Sequence, residues 1–217
     1  MKEYTKIQTL FKRDMANRGK IIEGDWSLPE FCYLQNNEWV FTEKVDGTNI
    51  RAKAVFYEDG RKEIQFGGRT DAAQIPATLI AALQSLLPFD KFATAFEGHD
   101  LVPIVLYGEG YGAKIQNGGN YRQDQSFILF DVMVGDWWLQ RDAVEEIAVK
   151  LGVDIVPIIG KGTLHDAIKI VRDGLKSTWG NFISEGIVMR PAVELKTRKG
   201  DRLIGKIKHR DFTGEKL

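Results

Sequence analysis

The order of its hydrophobic periods restricts this chain most. Eight strand-like runs are interrupted by three helical ones that do not alternate with them. Residues 39–45 (WVFTEKV) and 48–57 (TNIRAKAVFY) are rich in β-branched and aromatic side chains, which suit a pleated, half-buried surface. The second run leads into 64–68 (IQFGG) through an Asp59-Gly60 pair, the turn chemistry of a hairpin. Further strands are expected over 103–110, 126–134, 153–159, 184–190 and 202–209. Helices are expected over 75–87, where Leu79, Ala82, Leu83 and Leu86 recur at helical spacing behind Pro76. Another spans 141–151, with Val144, Ile147, Ala148 and Leu151 on one face and Gly152 as the stop. A third, 164–173, follows Thr163, with Asp166 three residues on as a capping partner. Because helices and strands do not alternate, a doubly wound parallel sheet is disfavoured. The pattern predicts an α+β fold of twisted, largely antiparallel sheets with flanking helices.

Length and charge narrow the function classes. At 217 residues, with no linker or repeat, the chain reads as a single domain, 1–217. No run of about 18 apolar residues offers a membrane span. The polar first twenty residues do not resemble a secretory signal, so a cytoplasmic protein is expected, in a host cytoplasm if viral. One cysteine, Cys32, rules out an internal disulfide framework, and three scattered histidines make a Cys/His zinc site a poor reading. Thirty basic and thirty acidic side chains balance to a formal charge of +0, yet seven Lys/Arg and only Asp201 lie between Lys196 and Arg210. Such a stretch suits a phosphate-bearing partner, and equally a solvated surface.

Five short motifs carry chemistry. Glu43-Lys44-Val-Asp-Gly47 sets a lysine in a turn between two strands, where neighbouring cations could free its amine for attack. Gly108-Glu109-Gly110 ends an apolar strand with a carboxylate between glycines, where backbone can approach a ligand. In Phe130-Asp131 a carboxylate interrupts a buried run, which costs several kcal/mol unless it is paired or coordinating. Phe130 beside it is either core or a platform on which a base stacks. Glu185 heads the apolar run Gly-Ile-Val188. Lys206 and Lys208, two apart on a strand, share a face, and their like charges favour an anion between them.

In this order the motifs resemble the covalent nucleotidyltransferase superfamily of polynucleotide ligases and mRNA capping enzymes, over residues 43–208. Asn49 stands where DNA ligases usually carry arginine, and Gly68-Arg69-Thr70 resembles an arginine position that meets a 5′-phosphate end. Both details are similar to RNA ligases of the nick-sealing and RNA-editing type. Only nine residues follow Lys208, so neither an OB-fold nor another C-terminal domain is expected. That leaves any duplex grip to the basic stretch or to a protein partner.

The resemblance implies a nucleotidyltransferase fold of the ATP-grasp-like ligase kind, and a reaction through lysyl-AMP. Lys44 would attack ATP, with Mg2+ and the Lys206/Lys208 pair stabilising phosphate charge. The AMP would pass to a 5′-phosphate RNA end, which a 3′-hydroxyl then attacks; a nicked duplex, a broken tRNA, single strands and an RNA/DNA hybrid all stay open as the substrate. It further implies Phe130 on adenine, Glu43 near its amino edge and Glu109 on the ribose. Asn49, Arg51 and Arg69 are implied at the nucleotide or its phosphates, with Arg51 equally readable as an exposed strand residue. Asp131 and Glu185 would orient Lys44 or support the metal. Rival readings are a capping-type guanylyltransferase, and a nucleotide- or RNA-binding module that kept the fold without the chemistry.

Overall fold

A computed structural model describes residues 1–97 and 102–214. In chain order the strands are β1 (Gln8–Thr9), β2 (Phe11–Asp14), β3 (Lys20–Trp26), β4 (Trp39–Glu43), β5 (Thr48–Phe56), β6 (Lys62–Gly67) and β7 (Ile104–Gly112). They continue with β8 (Gln125–Val134), β9 (Trp137–Trp138), β10 (Asp154–Ile155), β11 (Ile158–Gly162), β12 (Gly186–Pro191) and β13 (Gly205–Lys208). The helices are α1 (Pro29–Tyr33), α2 (Ala77–Leu86), α3 (Phe89–Ala95), α4 (Arg141–Leu151), α5 (Leu164–Arg172) and α6 (Arg210–Thr213). The chain forms two compact units. The first contains Met1–Tyr4 and Asp46–Val156; the second contains Thr5–Val45 and the chain from Pro157 onward.

The first unit is built on a sheet in the order β10-β8-β7-β5-β6, with β9 paired to β8. Its pairs are antiparallel except β10 with β8. Ile50, Leu106, Phe127 and Leu129 from the strands are sealed with Leu79 and Leu83 of α2 and with Val144 and Leu151 of α4. Complete burial of each such side chain stabilises by about 1.5–3 kcal/mol. The expected apolar stripe of α4 is the buried one, and Gly152 ends the helix at φ +60°.

The second unit carries a five-stranded sheet in the order β1-β13-β12-β4-β11, together with the separate hairpin β2–β3. Strand β4 alternates in the way a half-buried strand must: Trp39, Phe41 and Glu43 are buried. Helix α5 packs Leu164, Ala167, Ile168 and Val171 into the core with Phe31, Ile187 and Ile207. Its start is the expected capping box, in which Thr163 and Asp166 bond each other's backbone N–H.

The run expected over 153–159 is not one strand. Asp154–Ile155 pairs parallel to β8, whereas Ile158–Gly162 pairs antiparallel to β4. Pro157 stands at the break, and its ring nitrogen has no hydrogen to give a ladder. The hairpin β2–β3 and the helices α1, α3 and α6 were not expected. No helix among the described residues is long and apolar enough to cross a membrane.

Candidate functional site

Lys44 follows β4 directly, and its backbone N–H donates to the Gly186 carbonyl at 3.0 Å. Its Nζ donates to Glu185 Oε2 at 2.7 Å, and Lys208 Nζ donates to Glu185 Oε1. One carboxylate thus holds two ammonium groups, with side-chain exposures of 19% for Lys44, 15% for Lys208 and 8% for Glu185. Burial pushes the Glu185 carboxyl up, but the two lysines outweigh it and hold the group below its ordinary value. Lys206 and Lys208 are half-buried on the face of β13 opposite Gly205 and Ile207. The like-charge conflict read from their spacing is relieved at Lys208 by Glu185.

In the same unit Glu43 is 1% exposed, because the period of β4 turns it inward with Trp39 and Phe41. Its Oε2 accepts from the Thr178 backbone N–H and hydroxyl, both at 2.9 Å. Its Oε1 is buried with no hydrogen-bond partner among the described residues. An oriented, unfilled acceptor of this kind can recognise a donor on a ligand. In the basic C-terminal stretch, Lys196, Arg198 and Lys199 are exposed, while Arg202 is buried on Glu194.

The remaining nominated residues lie in the first unit. Register places Asn49 of β5 opposite Glu109 of β7. The Asn49 Oδ1 is buried and unpartnered among the described residues, and Glu109 is half-buried. A side chain on Gly47 would meet the Gly110 carbonyl at 2.4 Å and Glu109 Cγ at 2.8 Å. Gly47 therefore lies directly against the Gly-Glu-Gly strand. Gly108 serves packing rather than ligand approach, because a Cβ there would run into the Phe127 ring at 2.3 Å.

Strand β8 carries a bulge. Tyr107 pairs with Asp131 and Gly108 with Leu129, which leaves Phe130 as the extra residue. A bulge re-aims a side chain, and Phe130 is only half-buried, in an edge-to-face contact with the Tyr4 ring at 4.9 Å between centroids. Phe130 is thus not a core phenylalanine. Asp131, 1% exposed, accepts from the Tyr4 hydroxyl, which explains how a carboxylate is tolerated inside that strand. Nearby, burial pushes the Tyr107 phenol up to about 12, against the pull of Arg51 and with a smaller push from Asp131.

Arg51 requires a correction. It is fully buried, not an exposed strand residue, and its guanidinium donates to Gly68 O at 2.6 Å, Met1 O at 2.6 Å and Asp71 Oδ1 at 2.8 Å. A phosphate has no access to it. Arg51 holds the Gly68 carbonyl and the Asp71 carboxylate on either side of Arg69, which is exposed. Four residues bonded to this machinery were not nominated from sequence: Tyr4, Thr178, Asp211 and Arg13. Asp211 accepts from the Lys208 backbone N–H at 3.0 Å and from Arg13 at 2.7 Å.

The described residues contain no group of three or more His, Cys, Asp or Glu side chains arranged for a metal. Glu185 is held by two ammonium groups and Asp131 by a hydroxyl. That chemistry fits magnesium carried on substrate phosphates with one protein carboxylate added, the usual way this ion binds, rather than an all-protein cage.

The model of the family described as RNA ligase matches residues 37–208. Among solved structures, the chain is similar to an apo mutant of a Naegleria gruberi RNA ligase, with a TM-score of 0.62 and 17% identity over 96% of this chain and 58% of that one. It is also similar to a mutant of that ligase with AMP and Mn, with a TM-score of 0.61 and 15% identity over 99% and 61% of the two chains. The same ligase with PPi gives a TM-score of 0.60 and 18% identity over 96% and 60%. These likenesses establish the α+β nucleotidyltransferase fold, and the chain spans about three-fifths of their length. No curated protein sequence matches. With the family model covering most of the chain and every motif inside or at its bounds, the protein belongs to the RNA ligase family.

Proposed function

We propose that the chain is an ATP-dependent RNA ligase acting through lysyl-AMP, and that its two units are parts of one nucleotidyltransferase domain. The observation that carries this is Lys44, whose amine is held 2.7 Å from a buried carboxylate that also holds Lys208. A lysine nucleophile must lose its proton, and a carboxylate shared with a second cation both orients the amine and limits the stabilisation of its charged form. The deprotonated Nζ attacks the α-phosphorus of ATP; the N–P bond forms, the bond to the bridging oxygen breaks and pyrophosphate leaves. An oxygen of a 5′-phosphate RNA end then attacks that phosphorus, breaking the N–P bond and returning the amine. A 3′-hydroxyl finally attacks the activated end and AMP departs. Lys206 and Lys208 offset charge on the phosphates. Magnesium, when bound, neutralises phosphate charge, with Glu185 or Asp131 as a protein ligand.

In this reading the half-exposed Phe130 stacks on adenine, and the unfilled Oε1 of Glu43 accepts from its amino group. Glu109 and Asn49 serve the ribose and its surroundings, and the exposed Arg69 meets the 5′-phosphate end. Nicked RNA duplexes or RNA/DNA hybrids are the substrates, in a cytoplasmic setting. The relatives solved with AMP and Mn and with PPi support nucleotide and divalent-cation use. Intact-mass measurement with ATP and magnesium tests the proposal. The parent chain should gain one AMP, and Lys44→Ala none. No adduct on the parent, or an adduct on another lysine, refutes it.

A further inference from the structure

The strand bearing Lys208 ends in a specific way. Along the edge of β13 that faces β1, Gln8 N–H donates to Ile204 O at 3.2 Å and Leu10 N–H to Lys206 O at 3.1 Å. The next donor on that edge, two residues on, is the Lys208 N–H. Its ladder partner would be the Leu10 carbonyl, which instead accepts from Ser27 N–H at 2.8 Å where the chain turns into the β2–β3 hairpin. Asp211 replaces the missing strand. Its Oδ2 accepts from the Lys208 N–H at 3.0 Å, and its Oδ1 takes Arg13 Nη2 at 2.7 Å. The Asp211 side chain is 2% exposed and Arg13 is 35% exposed. Arg13 is fixed in turn, since its Nη1 donates to the Gly19 carbonyl at 2.8 Å across the hairpin. On the other edge His209 N–H donates to the Glu185 carbonyl at 2.9 Å. The backbone at Lys208–His209 is therefore clamped between Asp211 and Glu185, whose carboxylate the Lys208 ammonium contacts.

We infer that Asp211, braced by Arg13 of the hairpin, is a positioning residue that sets where the Lys208 ammonium meets Glu185 in the adenylation step. The inference rests on the lysyl-AMP reading given above. The Asp211 carboxylate bonds the Lys208 backbone and Arg13, so it acts through Lys208. Losing its carboxylate leaves a strand-end N–H without its acceptor and lets the last residue of β13 drift from Glu185. The Arg13–Asp211 ion pair in turn ties the hairpin, an element outside the main sheet, to the charged trio.

The test is single-turnover lysyl-AMP formation by intact mass across ATP concentrations. The variants are Asp211→Ala, Asp211→Asn, Arg13→Ala, Lys208→Ala and the double variant Asp211→Ala/Lys208→Ala. Displacing a catalytic group by about 1 Å can cost roughly 10²-fold, so Asp211→Ala should lower the rate constant about ten- to a hundredfold with KM for ATP little changed. Asp211→Asn keeps an oxygen for the Lys208 N–H and should recover most of the rate. Arg13→Ala should cost roughly two- to fivefold, what a half-exposed ion pair is worth. The double variant should be no slower than Lys208→Ala alone, because a positioning role vanishes with the group it positions. Asp211→Ala at the parent's rate, or losses that simply add, would overturn the inference. Mass-spectrometric labelling of lysine amines gives a readout independent of ligase activity: Lys208 should react faster in Asp211→Ala and in Arg13→Ala. Unchanged Lys208 labelling overturns the inference, whereas a parent chain that forms no lysyl-AMP counts against the proposed function alone.

Discussion

Each unit buries a carboxylate, and the two solve the same electrostatic problem with opposite partners. In the second unit Glu185 stays ionised because Lys44 and Lys208 lie on its two oxygens. In the first, Asp131 is held by the neutral hydroxyl of Tyr4, inside a ring of Tyr107, Phe130 and Trp138. Ammonium groups can be drawn off by an incoming phosphate, since the carboxylate they leave is still charged and still attracts them back. A hydroxyl packed among aromatic rings has no such alternative. The second arrangement suits a charge cluster that changes during a reaction, and the first suits a fixed wall.

The sharpest way to break this contrast is through Phe130. If the wall of the first unit exists to present a stacking ring, Phe130→Ala should weaken ATP use in adenylation roughly ten- to a hundredfold, from about 1–3 kcal/mol of base stacking. The melting temperature should barely move, because the ring is half-exposed on a bulge. A variant that unfolds with no separable effect on KM for ATP would make the ring structural. Next in size is Tyr4→Phe, which removes one hydrogen bond from a buried carboxylate and should cost about 1.5 kcal/mol in chemical denaturation. Unaltered stability would show that the hydroxyl is not what keeps Asp131 in place.

The smallest effect separates the units by pH. The Glu185 carboxyl is depressed below its ordinary 4.5 in the folded chain. Its contribution to stability is therefore complete above that ordinary value and is lost as pH falls through the lower folded value. The stability gap between the parent and Glu185→Gln should stand at about pH 7 and shrink progressively below about pH 4. A gap that widens with acid would reverse the sign assigned to the cluster.

What could be read beforehand follows from sequence distance. Helices α4 and α5 were legible nearly to the residue because periodicity, cap and stop all lie within about a dozen positions. The β2–β3 hairpin was not, since Lys12, Arg13, Lys20 and Glu23 give it no apolar alternation. Lys44, Glu185 and Lys208 could be nominated because each sits in its own local motif, and the fold brings the three together. Tyr4, Thr178 and Arg13 could not, because their bonds to Asp131, Glu43 and Asp211 span 127, 135 and 198 residues. The burial of Arg51 is illegible in the sequence for a related reason: alternation along β5 does not reveal that Met1, Gly68 and Asp71 surround it.

The division of the chain has a consequence for how the protein is made. The first unit borrows Met1–Tyr4 from the start of the sequence, and the second is assembled from segments on both sides of residues 46–156. Neither unit is a continuous stretch, so no single cut in the backbone can free one from the other. On a ribosome, Trp39 and Phe41 of β4 wait for Ile187 and Met189, nearly 150 residues behind them, before their own sheet can close. Pairing over such separations is slow. During synthesis the first unit can complete its sheet while the strand that delivers Lys44 still lacks its neighbours.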